Sequence, residues 1–194
     1  MQDKYRELNQ VSVKEPDIIF IGDSIVEYYP LQELLQTNKV LINRGIRGYK
    51  TDLLLGNLDA HLFGPALDKV FILIGTNDIG KEIPQSETLE NLEGVIQKIS
   101  REYPLAQIQL LSVLPVNEGE EYKGTVYLRT NGKIQDLNRA YQGLASIYTN
   151  VHFIDLYETL LDETGQLGQE FTTDGLHLTI AGYAVLSSEL DKYL

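Results

Sequence analysis

Short apolar runs rich in β-branched residues recur five times along the chain. They are Ile18–Ile21, Val40–Ile42, Val70–Ile74, Ile108–Leu114 and Val151–Ile154. Strands with one solvated face alternate apolar and polar positions, whereas nearly continuous apolar runs are typical of strands buried on both faces. The pattern therefore predicts a parallel sheet that is covered on both sides.

Longer segments with helical spacing separate these runs. They are Leu31–Gln36, Thr51–Leu62, Glu87–Tyr103, Ile134–Tyr148 and Thr179–Leu194. In the third segment the apolar residues step by three or four and so share one face, and Pro104 ends the helix. Strands alternating with helices predict βαβ units, and hence a three-layer α/β/α fold of the α/β class with a doubly wound sheet.

The length of 194 residues suits a single domain, residues 1–194, in which residues 1–14 form an N-terminal helical extension. The first segment, Met1–Leu8, has mixed charge and lacks the apolar stretch of a secretory signal, so we expect a cytoplasmic protein. No apolar run approaches the roughly 18 residues that a membrane span needs.

The chain contains no cysteine and carries a formal net charge of −12. The lack of cysteine excludes a disulfide framework, a thiolate metal site and a cysteine nucleophile. Proteins that bind nucleic acids or anionic membranes need Lys/Arg patches, so the charge argues against both kinds of partner. We expect a small-molecule partner instead.

Side chains that can take part in catalysis or binding lie just past the predicted strands. Gly22-Asp23-Ser24 follows the first strand, Asn43-Arg44-Gly45-Ile46-Arg47-Gly48 the second and Gly75-Thr76-Asn77-Asp78 the third, while Asp174-Gly175-Leu176-His177 precedes the last helix. The carboxyl ends of parallel strands meet at one edge of a sheet, where ligands bind. The longest irregular piece, Pro115–Thr130, also starts there, and it is either a substrate lid or a solvated connection.

Ser24 and His177 have the chemistry of a nucleophile and its general base. A serine hydroxyl attacks a carbonyl only when a base removes its proton, and histidine is the usual base. Asp174 lies three residues before His177, a spacing at which one turn can bring a carboxylate to Nδ1. The backbone N–H groups of Ser24 and Gly48 and the amide of Asn77 can donate to a tetrahedral oxyanion. These residues predict a serine esterase that needs neither a cofactor nor a metal.

The same four blocks resemble those of the SGNH hydrolases, also called GDSL-type esterases and lipases. Phe20-Ile21-Gly22-Asp23-Ser24 resembles the nucleophile block, and the segments that end at Gly48, Asp78 and His177 resemble the glycine, asparagine and Asp-x-x-His blocks. Each block is a weak signal alone, but all four occur in family order between residues 20 and 177. The chain looks most similar to the branch of platelet-activating-factor acetylhydrolase catalytic subunits and their bacterial relatives.

The resemblance implies a flavodoxin-like sheet of five parallel strands in the order 2-1-3-4-5, and members of this branch can form homodimers. This chain has Arg47-Gly48 at the place where the eukaryotic subunits of this branch have Gly-Gly. This difference leaves the identity of the substrate open. A short acyl or acetyl ester, a lysophospholipid, an acetylated carbohydrate and a thioester all suit the same machinery.

Four further residues are candidates for substrate binding. They are Arg44, Arg47, Tyr28 and Tyr29. The two arginines could meet an anionic group on the substrate, and the two tyrosines could wall an acyl pocket. Surface ion pairs and core packing are the alternative roles for these side chains.

Other functions stay open at this point. Ser24 could be only a helix cap in a non-catalytic flavodoxin-like module that binds a small molecule, and an acyl-thioesterase would use the same residues. Asp23, Asp78 and Asp174 could hold Mg²⁺ in a phosphoesterase, although we favour turn-stabilising hydrogen bonds for the first two.

His61 and His152 compete with His177 for the role of base. His61 falls among leucines in the second predicted helix, and His152 lies at the start of the fifth strand. We therefore expect both to be structural or surface histidines.

Overall fold

The five predicted strands form one parallel sheet in the computed structural model, which describes residues 1–194. The strands are β1 (Ile18–Gly22), β2 (Leu41–Gly45), β3 (Lys69–Leu73), β4 (Gln107–Leu111) and β5 (Val151–Ile154). Their order across the sheet is β2-β1-β3-β4-β5. The α/β fold class and the strand order 2-1-3-4-5 are confirmed.

Ten α-helices surround the sheet. They are α1 (Gln2–Val11), α2 (Ser24–Glu27), α3 (Leu31–Leu34), α4 (Thr51–Gly56), α5 (Leu58–His61), α6 (Thr76–Gly80), α7 (Gln85–Glu102), α8 (Lys123–Val126), α9 (Asn131–Ala145) and α10 (Ile180–Leu190). Short 3₁₀ turns occupy Glu120–Tyr122, Glu158–Leu160, Gln169–Phe171 and Asp191–Tyr193. No helix has both the length and the apolarity that crossing a membrane requires.

Each face of the sheet carries its own apolar core. Ile19 and Ile21 of β1 face the core formed with α4, α5, α7 and α9, whereas Ile18 and Phe20 face the core formed with α2, α3 and α10. Successive side chains of a strand point to opposite faces, so a strand buried on both sides is apolar at most positions, with Gln109 of β4 as a buried polar exception. This explains why the strands are continuous apolar runs.

The fourth apolar run continues past the end of its strand. We predicted a strand to Leu114, but β4 ends at Leu111 because no neighbouring strand remains to pair with. The backbone of Val113 instead exchanges hydrogen bonds with the Asn138 side chain, and Val116 does the same with Asn131. Two asparagines of α9 thus satisfy buried backbone groups that a sheet partner would otherwise bind.

The predicted helix Thr51–Leu62 is divided into α4 and α5. Asn57 adopts a non-helical conformation, with φ −127° and ψ 25°. Its side-chain amide donates to the carbonyl of Leu53 at 2.9 Å, which satisfies the end of α4. Glycine and asparagine are favoured at helix ends, so the Gly56-Asn57 pair accounts for the break.

Candidate active site

The Asp23-Ser24 pair links β1 directly to α2 at the carboxyl edge of the sheet. Asp23 caps α2, since its Oδ1 accepts the backbone N–H of Ile25 at 2.9 Å. The serine is therefore free of the capping role, and its Oγ lies 2.9 Å from Nε2 of His177. A Cβ at Gly22 would come within 2.0 Å of the Leu73 carbonyl oxygen, so only glycine fits where the chain leaves the strand.

The loop before α10 holds His177 against Asp174. Oδ2 of Asp174 lies 2.7 Å from Nδ1 of His177, and Oδ1 accepts the backbone N–H groups of His177 at 2.8 Å and Leu176 at 3.1 Å. Gly175 has φ +84°, a left-handed conformation that lets the loop turn within three residues. Because the carboxylate can only accept, it places the proton on Nδ1 and leaves Nε2 to accept from Ser24.

The carboxylate of Asp174 keeps its charge. Partial burial raises the pKa of Asp174, but hydrogen bonds from the His177 side chain and backbone outweigh that effect and lower the pKa overall. An ionised Asp174 stabilises an imidazolium on His177, so the arrangement can move a proton from Ser24 to the histidine.

Each of the three groups expected to bind the oxyanion retains an N–H that no group of the protein accepts. The backbone N–H groups of Ser24 and Gly48 donate to no acceptor in residues 1–194. Gly48 is exposed and has φ +75°, with open space where a Cβ would lie. The Nδ2 of Asn77 uses one of its two protons on the Tyr49 carbonyl at 2.9 Å, which leaves the other available.

An arginine that the sequence did not indicate holds the other end of the Asn77 amide. Nη2 of Arg129 donates to Oδ1 of Asn77 at 2.9 Å, and its Nε donates to the Thr76 carbonyl at 3.0 Å. Arg129 lies in the segment between β4 and α9, where neither spacing nor composition distinguishes it from a surface residue. Only its position at the exit of β3 shows its relation to the site.

An open cleft of about 610 Å³ lies beside His177. Its walls come from Tyr28, from Thr173–Asp174 and from the start of α10, including Ile180 and Tyr183. The ring centroid of Tyr28 lies 5.6 Å from that of His177, and the Tyr28 side chain is partly exposed. The cleft therefore borders the proposed base, and its lining includes none of Ser24, Gly48 and Asn77.

Comparison with known proteins identifies the family. The protein-family model described as "GDSL-like Lipase/Acylhydrolase family" matches residues 20–185. The chain belongs to this family. As a GDSL-like acylhydrolase the protein is a carboxylic ester hydrolase of the serine type, and the resemblance that the four sequence blocks indicated is confirmed.

Individual relatives of this GDSL-like hydrolase differ in how much of their length they share with it. It is 29% identical over 185 residues to the platelet-activating factor acetylhydrolase IB subunit alpha2 of Rattus norvegicus, covering 93% of this chain and 77% of that protein. It is 31% identical over 193 residues to an Escherichia coli N-acylneuraminate cytidylyltransferase, covering 98% of this chain but only 42% of that protein.

A solved Streptococcus pneumoniae structure, named provisionally for platelet activating factor, is similar over almost the whole chain. The two proteins are 63% identical and superpose with a TM-score of 0.97, covering 99% of this chain and 90% of the other.

Two of the four residues expected to bind substrate are buried elsewhere in this hydrolase, so those expectations are wrong. Arg44 is only 6% exposed, and its guanidinium bonds to Asn9 and lies 4.8 Å from the Tyr5 ring centroid, beneath α1. Tyr29 is 5% exposed and bonds to Ser187 in the core. Both side chains point into a packed layer that the local pattern did not reveal.

The other two candidates lie at the surface near the cleft. Tyr28 lines the cleft directly. Arg47 is exposed, pairs with Glu27 at 2.8 Å, and lies 5.5 Å from the Tyr28 ring centroid. Much of its charge is therefore neutralised by Glu27, which leaves the Arg47 side chain as a polar rim beside Tyr28.

The remaining aspartates have separate local partners. Asp78 accepts the hydroxyl of Thr51 at 2.6 Å and the Thr51 backbone N–H at 3.2 Å, and burial raises the pKa of Asp78. Burial also raises the pKa of Asp23, to about 7, although the Ile25 N–H and the Arg129 charge oppose the shift. No three carboxylate or histidine groups come together as metal ligands. Asp23 thus makes the local turn-stabilising hydrogen bond that we expect, whereas Asp78 bonds to Thr51 at the start of α4 and not to its own loop.

The two other histidines lie away from the cleft. His61 is fully buried, bonds through Nδ1 to the Arg44 carbonyl at 2.6 Å, and has a pKa that burial lowers to about 4. His152 is exposed on β5 and bonds to Gln107. Neither contacts Ser24.

The segment Pro115–Thr130 packs against the loop that carries His177. The backbone N–H of Asn117 donates to the Gly175 carbonyl at 2.8 Å, and Tyr122 and Val126 cover Gly175 so closely that a Cβ there would clash. The segment therefore supports the site through its buried residues Asn117 and Val126, while its acidic residues Glu118, Glu120 and Glu121 are exposed to solvent.

Proposed function

We propose that this hydrolase cleaves acetyl or other short-acyl esters through an acyl-enzyme on Ser24. The observation that carries the proposal is the continuous hydrogen-bonded series Asp174–His177–Ser24, which begins 2.7 Å from the carboxylate and ends 2.9 Å from the nucleophile. Ser24, Gly48 and Asn77 follow the neighbouring strands β1, β2 and β3, and each retains an N–H that no group of the protein accepts. A nucleophile, a base and an oxyanion site are the parts that acyl transfer requires.

In the first step Ser24 Oγ attacks the ester carbonyl while Nε2 of His177 takes the hydroxyl proton. The carbonyl oxygen becomes an oxyanion that accepts the N–H groups of Ser24, Gly48 and Asn77. Collapse of this intermediate breaks the bond to the alcohol, and His177 returns its proton to the departing oxygen. Water then attacks the acyl-enzyme while His177 takes its proton; the bond between Ser24 Oγ and the acyl carbon breaks, His177 returns the proton to Ser24, and the acid leaves.

The cleft beside His177 would receive the alcohol part of the ester. His177 must protonate the leaving oxygen, so that oxygen has to lie on the histidine side, opposite the oxyanion donors. The cleft walled by Tyr28 and Ile180 starts there, and its volume of about 610 Å³ suits an alcohol of small-molecule size. Its wide opening favours a polar alcohol that stays in contact with solvent, such as a sugar, over a long apolar alcohol.

The names of two relatives favour the same substrate class. One relative is named for acetyl hydrolysis, and the other is named for a sugar acid that carries its acyl group on nitrogen, so the second name points to a carbohydrate and not to an ester. From these names we take only the acetyl group and the carbohydrate alcohol as the first substrates to test. A lysophospholipid and an acyl thioester remain the alternatives, since each offers the same carbonyl chemistry.

The test compares the wild type with Ser24→Ala, which keeps the Asp23 cap and removes only the hydroxyl. We expect fluorophosphonate labelling and ester turnover in the wild type, and neither in the variant. Labelling that persists in Ser24→Ala would place the nucleophile elsewhere. A chelator arm tests the phosphoesterase alternative, because activity that is lost with chelator would contradict a metal-free serine mechanism.

A panel of p-nitrophenyl esters, acetylated sugars, lysophospholipids and acyl thioesters then ranks the substrate classes by kcat/KM. We expect acetyl esters to lead, with turnover falling as the acyl chain lengthens. A higher kcat/KM for a thioester or a lysophospholipid would replace the acetyl-ester assignment. The homodimer implied by the resemblance also stays a prediction, which sedimentation equilibrium would measure.

A further inference from the structure

Arg129 contacts the proposed oxyanion donor without reaching the carboxylates of the site by hydrogen bonds. Its guanidinium donates to four neutral acceptors: Oδ1 of Asn77 at 2.9 Å, and the carbonyls of Thr76 at 3.0 Å and of Thr125 and Val126 at 3.2 Å. The side chain is half-buried, and it forms no ion pair. Because this half-buried arginine bonds only to neutral oxygens, its contacts favour a role in positioning the groups that it binds.

The two hydrogen bonds of the Asn77 amide allow only one orientation. A backbone carbonyl can only accept, so Tyr49 requires Nδ2 on its side of the amide. A guanidinium can only donate, so Arg129 requires Oδ1 on the opposite side. A flipped amide would oppose two oxygens at Tyr49 and two donors at Arg129. The amide is thus held in one orientation, and its second Nδ2 proton has no acceptor within the protein, so it is the proton that the proposed oxyanion would accept.

The charge of Arg129 also strengthens that donor. A cation bonded to an amide oxygen draws electron density from the amide nitrogen, because hydrogen bonds in series polarise one another. Burial lowers the pKa of Arg129, and the charges of Asp23 and Asp174 oppose that shift. The guanidinium therefore brings positive charge to the side of the site where negative charge develops.

We infer that Arg129 is a positioning residue that orients and polarises the Asn77 amide for the oxyanion. This role rests on the proposed function, since it requires that Asn77 donates to the intermediate. Gly80 supports it, because a Cβ there would lie 2.5 Å from the Arg129 Cζ. The absence of a side chain at position 80 gives the guanidinium its place over α6.

The test is a double-mutant cycle with Arg129→Gln and Asn77→Ala, measured as kcat and KM on p-nitrophenyl acetate. We expect Arg129→Gln to lower kcat by about 10- to 100-fold, less than the loss of the donor itself, with KM little changed. In the Asn77→Ala background the same change should have no further effect, because no amide remains to orient. Equal fold-losses in both backgrounds would overturn the role.

Arg139→Gln is the matched control. Arg139 is an exposed arginine ten positions further along the chain, paired with Asp136 on α9. Its replacement should leave kcat and KM unchanged. A loss equal to that of Arg129→Gln would show that any arginine replacement in this region disturbs the enzyme, and would overturn the specific role.

Gly80→Ala is a second variant that does not depend on how well Arg129→Gln folds. Alanine favours the helix, so this change displaces the guanidinium while retaining its charge and the fold. We expect a drop in kcat that again disappears in the Asn77→Ala background. Full activity of Gly80→Ala with its arginine displaced would contradict the inference.

Two further outcomes separate this inference from the proposed function. If Asn77→Ala itself retains full turnover, the oxyanion assignment fails, and the role of Arg129 fails with it. If Asn77→Ala is slow but Arg129→Gln is not, only the role of Arg129 fails. Guanidinium ion at low concentration should partly restore kcat of Arg129→Ala but not of Asn77→Ala, as expected for a missing orienting group.

Discussion

Both oxygens of Asp174 bind His177, one through the ring and one through the backbone. Oδ2 lies 2.7 Å from Nδ1, and Oδ1 accepts the backbone N–H of the same residue at 2.8 Å. The carboxylate therefore fixes the loop and the tautomer of the imidazole at once. Asp174 therefore has two roles, one in the shape of the loop and one in proton transfer, and a mutation that affects only one of them can separate the two.

Asp174→Asn should separate these two effects. The amide oxygen can still accept the backbone N–H groups of His177 and Leu176, so the loop should keep its shape. The amide N–H, however, would donate to Nδ1 and leave the ring proton on Nε2, where it cannot accept from Ser24. We expect kcat to fall by about 10⁴-fold, as a wrong tautomer does in serine hydrolases. Steady-state kinetics and thermal unfolding would measure this.

A small change in kcat of Asp174→Asn would contradict this role of the carboxylate. A loss of less than about tenfold in kcat, with an unchanged Tm, would mean that His177 does not need the carboxylate for proton transfer. Asp155→Asn is a suitable control, because Asp155 accepts a backbone N–H two residues along at 3.0 Å in the same way but lies at the end of β5.

Asp23→Asn should change how stability depends on pH. The pKa of Asp23 rises from 3.8 to about 7 in the folded protein, chiefly because of burial. Between these values the folded state binds a proton that the unfolded state does not, so the free energy of unfolding falls as pH rises through this window. One pKa unit corresponds to about 1.4 kcal/mol, so the effect amounts to a few kcal/mol.

Asparagine can still cap α2 but cannot ionise, so the Asp23→Asn variant isolates the contribution of Asp23 ionisation to the pH dependence of stability. We expect the free energy of unfolding of the wild type to decline more between pH 4 and 7 than that of Asp23→Asn, as measured by urea unfolding at constant ionic strength. Parallel pH profiles for the two proteins would show that Asp23 ionises in the folded state at its ordinary pKa.

The neighbouring tyrosines 28 and 29 should respond to mutation in opposite ways. The Tyr29 hydroxyl makes a buried hydrogen bond of 2.7 Å to Ser187, so Tyr29→Phe should cost about 1–2 kcal/mol of stability and leave kcat/KM unchanged. Tyr28 is partly exposed in the cleft, so Tyr28→Ala should leave the Tm nearly unchanged and raise KM.

Two acetate esters with different alcohols make the comparison sharper. Loss of Tyr28 should raise KM more for an acetylated sugar than for ethyl acetate, because only the larger alcohol would reach the cleft wall. An equal change in KM for both esters would mean that the cleft does not hold the alcohol, and the substrate orientation proposed above would have to be reversed.

The positions of the strands and of the reactive loops could be predicted from the sequence because they depend on local chemistry. An apolar run such as Val70–Ile74 must be buried, and a turn such as Asp174–His177 carries its own hydrogen-bonding groups. Hence the five strands lie within a few residues of their predicted places, and local chemistry alone identifies Ser24 and His177 as candidates, which lie in hydrogen-bond contact. The strand order came from the family resemblance, since parallel pairing joins segments far apart in the chain.

Only the tertiary structure decided where particular side chains point. Arg44 and Arg47 look alike in the sequence, yet one is buried beneath α1 and the other lies at the rim of the cleft. Arg129 reaches Asn77 from 52 positions away. Such contacts depend on how whole helices pack on the sheet, and neither periodicity nor spacing records that packing. The sequence by itself determined the candidate reactive groups, and the packing of α1 and of the Pro115–Thr130 segment decided which other residues support them.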